Sequence, residues 1–160
     1  MSTIHVVADS PLPAAGVLDA AHDFSGRRAE FFPAVTVEQL RVHERGDTWA
    51  DVTEGTSTGI GSNWERCRYD WSQPGSVKAT VTHSNVYAVL GSSWELRATA
   101  TAEGSRVEMI WQRKFRNNPR GILFGTAFRL VGKPIFRRYA RQTLENLNQL
   151  ETAQPGAQPA

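Results

Sequence analysis

The apolar positions follow two different periods along the chain. Residues 3–8 (TIHVVA) alternate and are rich in β-branched side chains, which predicts a first strand. Ser10-Pro11 then reads as a helix start, and Leu12, Ala15, Leu18 and Ala21 recur every three residues to about Ala21. A second short helix fits Gly26 to Phe31, opened by Ser25 and stopped at Pro33. From Val35 the period is two. Segments 35–44, 48–55, 62–72, 76–84, 92–103 and 105–116 alternate, and glycine-bearing turns such as Arg45-Gly46-Asp47 and Gln73-Pro74-Gly75 separate several of them. Connections this short predict an antiparallel sheet. After Asn117-Asn118-Pro119 the period changes again. Phe124, Phe128, Val131, Ile135, Tyr139, Ala140, Leu144 and Leu147 recur at steps of three and four over about thirty residues, the mark of a long amphipathic helix. Gly132 and Pro134 interrupt it and predict a kink.

The predicted order is strand, two short helices, six strands, long helix. The fold class is α+β, with a seven-stranded curved antiparallel sheet wrapped around a long C-terminal helix that plugs its open face. Residues 1–151 form one domain, and 152–160 (TAQPGAQPA) read as a disordered tail. The 160-residue length suits a single domain with a substantial core. One cysteine, Cys67, excludes an internal disulfide framework, and flanking arginines alternate away from it, which reads as an inert buried thiol. The four histidines lack metal-ligand spacing, so no metal and no cofactor are expected. No apolar run reaches a membrane span and the N-terminus lacks a signal-peptide pattern, so a cytoplasmic location is the expectation.

Charge changes the picture more than composition does. The net charge is only +2. Residues 1–104 carry 8 Lys/Arg against 13 Asp/Glu, a net of −5, and residues 105–160 carry 10 against 3, a net of +7. Arg116, Arg120, Arg129, Lys133, Arg137 and Arg138 surround the apolar start of the long helix, Ile122-Leu123-Phe124. Basic next to apolar residues suits contact with an anionic membrane surface; a solvated helix face is the plainer alternative. Nucleic acid is disfavoured, since no nucleic-acid motif is present and the helix aromatics belong to the packing stripe.

Trp64-Glu65-Arg66, Tyr69-Asp70-Trp71, the Pro74-Gly75 turn, Trp94-Glu95-Leu96 and the basic amphipathic C-terminal helix together resemble the START-like helix-grip (SRPBCC) superfamily. The nearest resemblance is to its polyketide cyclase/dehydrase and lipid-transport group, over about residues 3–150. That resemblance implies a hollow between sheet and helix that holds a small hydrophobic molecule such as a lipid or polyketide. Strand alternation assigns its lining. Val107, Met109 and Trp111, then Trp94, Leu96 and Ala98, then Val77, Ala79, Val81 and His83 are the inward sets, with Cys67, Tyr69 and Trp71 inward on the strand over 62–72. The candidate ligand contacts are Tyr69, Val81, His83, Trp94, Leu96, Met109, Trp111, Phe124 and Phe128; the same apolar faces also suit a closed core.

Three functions remain open. The first is binding of a hydrophobic ligand. The second is a polyketide cyclase, aromatase or dehydratase with His83 as acid/base and Tyr69 polarising a carbonyl. The third is a non-enzymatic module docking on anionic membrane through the basic helix. The residues do not decide between enzyme and carrier or give an oligomeric state, and His83 also suits a structural histidine.

Overall fold

The computed structural model describes residues 1–58, 61–86 and 89–153. Its seven strands are β1 (Ser2–Ser10), β2 (Arg41–Arg45), β3 (Trp49–Thr58), β4 (Gly61–Asp70), β5 (Ser76–Ser84), β6 (Ser93–Thr101) and β7 (Gly104–Arg113). They form one antiparallel sheet in the order β1-β7-β6-β5-β4-β3-β2. Helices α1 (Ala14–Ala21) and α2 (Arg28–Phe31) carry the chain from one edge of this sheet to the other. Helix α3 (Pro119–Ala153) is the grip. Its second half buries Ala140, Leu144 and Leu147. Its first half passes so close to β1 that a Cβ on Gly132 would press into the Ile4 side chain. The helix-grip architecture implied by the resemblance is therefore the one present.

The inward sets follow the predicted alternation on most strands. Val107, Met109 and Trp111 are buried, as are Leu96, Ala98, Val77, Ala79, Val81, Cys67 and Tyr69. Several local expectations differ. Ser10 ends β1 instead of capping a helix; its Oγ accepts from the Leu12 N–H at 3.2 Å, and α1 begins only after Pro13. The segment 35–44 is not one strand. Val37–Gln39 is a single 3₁₀ turn, and only Arg41–Arg45 pairs with β3. Thr36 N–H donates to the Gly55 carbonyl at 2.8 Å, which ties this segment across the sheet end. Helix α3 runs unbroken through Pro134, which sits at an exposed position. The polar stretch 56–63 is largely the ends of β3 and β4, with residues 59–60 outside the described residues; of the tail expected over 152–160, Thr152 and Ala153 continue α3 and residues 154–160 lie outside the described residues.

One register shift decides a site residue. Arg66 pairs with His83 but the next residue, Cys67, pairs with Val81. Thr82 is the extra residue of a β-bulge, and its Oγ1 donates to the Arg66 carbonyl at 3.0 Å. One inserted residue reverses the faces beyond it. His83 is consequently exposed, opposite outward-facing Arg66, and not inward as its parity with Val81 predicts.

Candidate cavity between the sheet and the long helix

A cavity of about 590 Å³ lies between the concave face of the sheet and the first half of α3. Trp94 and Trp111, directly paired across β6 and β7, form its back wall. Phe128, Phe136 and Tyr139 line it from α3. Phe136 packs on Trp111 with ring centroids 4.6 Å apart, and Phe128 on Phe136 at 5.4 Å. Phe124 and Ile135 reach it at the outer edge, where both are exposed.

The polar groups gather at one end, and strand alternation puts them there. On β3 the inward series is Ala50, Val52, Glu54; on β4 it is Tyr69, Cys67, Glu65; on β7 it is Val107, Met109, Trp111, Arg113. Each apolar face thus ends in a charge. Glu54 and Glu65 are direct partners across β3 and β4. Two like charges so placed would repel, and each is matched by its own arginine. Arg113 Nη1 donates to both Glu65 carboxylate oxygens, at 2.7 and 2.8 Å. Arg28 Nε donates to Glu54 Oε2 at 2.6 Å.

Arg28 is the largest fully buried side chain among the described residues, 1% exposed. Its guanidinium lies 4.7 Å from the Phe24 ring, 4.6 Å from Phe32 and 5.2 Å from Tyr69. Nη1 donates to the carbonyls of Ala21 and Asp23, and Nη2 to the Tyr69 hydroxyl at 3.0 Å. Tyr69 in turn donates to Glu54 Oε1. Burial acts to lower the Arg28 pKa, but the Glu54 carboxylate and the Tyr69 hydroxyl outweigh it and the pKa is raised. Arg28 therefore stays a cation. Burial pushes the Tyr69 phenol well above its ordinary range, and the Tyr139 phenol up as well, so both remain neutral. Burial likewise pushes up the Cys67 thiol, which makes it a poor nucleophile.

The sequence-predicted contacts divide accordingly. Trp94, Trp111, Phe124 and Phe128 line the cavity. Val81, Leu96 and Met109 are buried in the sheet's core without being part of that lining, and Tyr69 lies behind Glu54 as its hydrogen-bond donor. His83 stands outside, beyond the bulge, with Nδ1 near Thr82 Oγ1 at 3.3 Å. It cannot be an acid/base for anything held in the cavity. Glu54, Glu65, Arg113 and Tyr139 are the cavity-facing groups the residue-by-residue reading missed. For three of them the signal was present: a charge at the end of an alternating apolar face. The proposed membrane or anion contacts Arg116, Arg120, Arg129, Lys133, Arg137 and Arg138 are all exposed.

The assembly offers an aromatic hollow with neutralised charges at one end. Arg113 has N–H groups beyond the one engaged by Glu65, and Tyr139 has a neutral hydroxyl; both are donors for an oxygen on an otherwise apolar molecule. No curated protein matches the chain. Solved structures with the same fold include a protein of Thermus thermophilus (14% identity, TM-score 0.72, covering 97% of this chain and 100% of that one). The Zhui aromatase/cyclase of a Streptomyces species matches at 13% identity and TM-score 0.71 over 99% of each chain. A START superfamily protein of Mycobacterium smegmatis matches at 10% identity and TM-score 0.61, covering 94% of this chain and 95% of that one. The model of the family described as polyketide cyclase / dehydrase and lipid transport matches residues 1–150, and the chain belongs to that family.

Proposed function

We propose that the protein binds one small, elongated apolar molecule carrying an oxygen function, with its apolar body against Trp94, Trp111 and Phe128 and its oxygen toward Arg113 and Tyr139. The observation that carries this reading is the cavity of about 590 Å³, aromatic along its length and charged at one end only. Its volume is that of a site for a molecule of lipid or polyketide size. Carrier function is favoured over catalysis by the state of the charges. Both cavity carboxylates already accept from arginines, Glu54 from Arg28 and Glu65 from Arg113, so neither is poised as a free base. A cyclase or dehydratase reading would rest on the same cluster instead of His83: Tyr139 as proton donor and Arg113 polarising a carbonyl.

Native mass spectrometry of protein purified from its own host, followed by organic extraction, tests binding. A discrete co-purifying apolar mass is expected. Thr56 lines the cavity, so Thr56→Trp fills it from the wall and should abolish that mass while the protein stays folded. No co-purifying mass, together with no uptake of an apolar fluorescent probe by the wild type, sinks the reading. For the catalytic alternative, turnover of a poly-β-ketone that is lost in Arg113→Met and retained in His83→Ala would favour the enzyme.

A further inference from the structure

Helix α3 is apolar on the side that faces away from the protein. At about 100° per residue, Leu123, Ala127, Leu130 and Pro134 fall along one line, with Val131 beside it. The inner line is Gly125, Phe128, Gly132, Phe136 and Tyr139, each buried or half-buried. Leu123 is 67% exposed, Leu130 76% and Val131 51%. A surface helix of a globular protein carries polar residues there. A contiguous exposed apolar strip marks an interaction site.

Charge says what covers it. From Pro119 to Leu144 the helix carries six Lys/Arg and no Asp/Glu. Arg129 and Lys133 flank the strip on one side, Arg120 and Arg138 on the other, all exposed and none in an ion pair among the described residues. A second copy of this chain is a poor occupant, because a two-fold contact would set the same cations against one another. An apolar strip between rows of cations matches the boundary between anionic headgroups and acyl chains. Among the described residues no helix is long and apolar enough to cross a membrane, so the helix would lie in the surface. We infer that the outer face of α3, centred on Leu123 and Leu130, docks on an anionic bilayer.

This surface meets the cavity. Phe124 and Ile135 are exposed beside the strip and also line the hollow, so the docked protein holds its cavity mouth against the bilayer. The docking does not depend on what the cavity holds.

Co-flotation of the full chain with vesicles tests it. Vesicles of phosphatidylcholine with about 30% phosphatidylglycerol should carry the protein, and phosphatidylcholine alone should not. Salt at about 0.5 M should release most of it. At about 1 kcal/mol per cation near the surface, Lys133→Gln/Arg137→Gln should weaken partitioning about 30-fold. Leu123→Glu/Leu130→Glu should abolish it with an unchanged circular dichroism melt, since both leucines are exposed. Thr56→Trp should float like the wild type, which separates this inference from the cavity's role. Equal flotation on both vesicle types, or none on either, overturns the inference. So does a wild-type dimer by light scattering that Leu123→Glu/Leu130→Glu makes monomeric.

Discussion

The Arg28–Glu54 pair lends itself to a quantitative test of how this protein tolerates charge beneath its cavity. Glu54→Gln keeps the side chain's shape and removes its charge. Arg28 remains a buried cation, because a guanidinium is not deprotonated in proteins and its surroundings are protein on every side. Stripping a buried charge of its partner costs about 3–5 kcal/mol. Glu54 is 14% exposed, and the faces of Phe24, Phe32 and Tyr69 continue to support the guanidinium. The cost should therefore lie at the lower end, about 3 kcal/mol. Arg28→Met leaves the flexible stem among the rings but strands the Glu54 carboxylate, at a similar cost of about 3 kcal/mol. The double variant removes both charges. What it still loses are the hydrogen bonds from Arg28 to the carbonyls of Ala21 and Asp23. At about 1 kcal/mol each the double variant should lose about 2 kcal/mol. Independent effects would add to about 6, so the coupling should be about 4 kcal/mol. Urea unfolding followed by tryptophan fluorescence measures this, with the midpoint moving and the slope constant. Each single variant should also melt about 6–12 °C lower. Single effects that add to within about 0.5 kcal/mol would refute the reasoning.

Other outcomes follow from the same structure. His83→Ala should change stability by less than about 0.5 kcal/mol and leave ligand retention by native mass spectrometry intact, since the ring lies on the exposed side of the bulge. Leu96→Ala, at a position with 0% exposure, should cost about 2–5 kcal/mol in urea unfolding. Leu130→Ala, 76% exposed on α3, should stay within about 0.5 kcal/mol in the same assay. Tyr69 and Tyr139 have folded pKa values raised above the ordinary 10.0 of an unfolded phenol. The folded state then holds protons the unfolded state has released, so stability is full below pH about 10 and declines as pH rises beyond it. Absorbance at about 295 nm should show these two phenols ionising only on unfolding; ordinary titration near pH 10 in the folded protein would contradict their burial.

The alternation of apolar residues, with its changes of period at Val35 and after Pro119, was enough to specify seven strands, their antiparallel pairing and the long helix. Each of these is a local consequence: side chains alternate along a strand and return every 3.6 residues along a helix. The inward faces of β5, β6 and β7 were legible for the same reason. So were the charged ends of the cavity faces, Glu65 on β4 beside Cys67 and Tyr69, Arg113 on β7 beyond Trp111, although neither stands out until the strands are side by side. His83 shows the limit of that reading, because a single extra residue at Thr82 reverses parity and no local pattern announces it.

What only the tertiary structure decided is of a different kind. Arg28 sits in a four-residue helix whose sequence reads as surface, and its burial exists only because Glu54 and Tyr69 from distant strands close around it together with the neighbouring rings of Phe24 and Phe32. The pairing of Glu54 with Glu65, and of each with its own arginine, depends on register and on the curvature that brings β7 toward β4. The apolar stripe of α3 appeared in the sequence as one packing face. In the fold it is two, an inner one that roofs the cavity and an outer one that lies bare, because only the arrangement of sheet and helix determines which apolar residues find a partner within the chain.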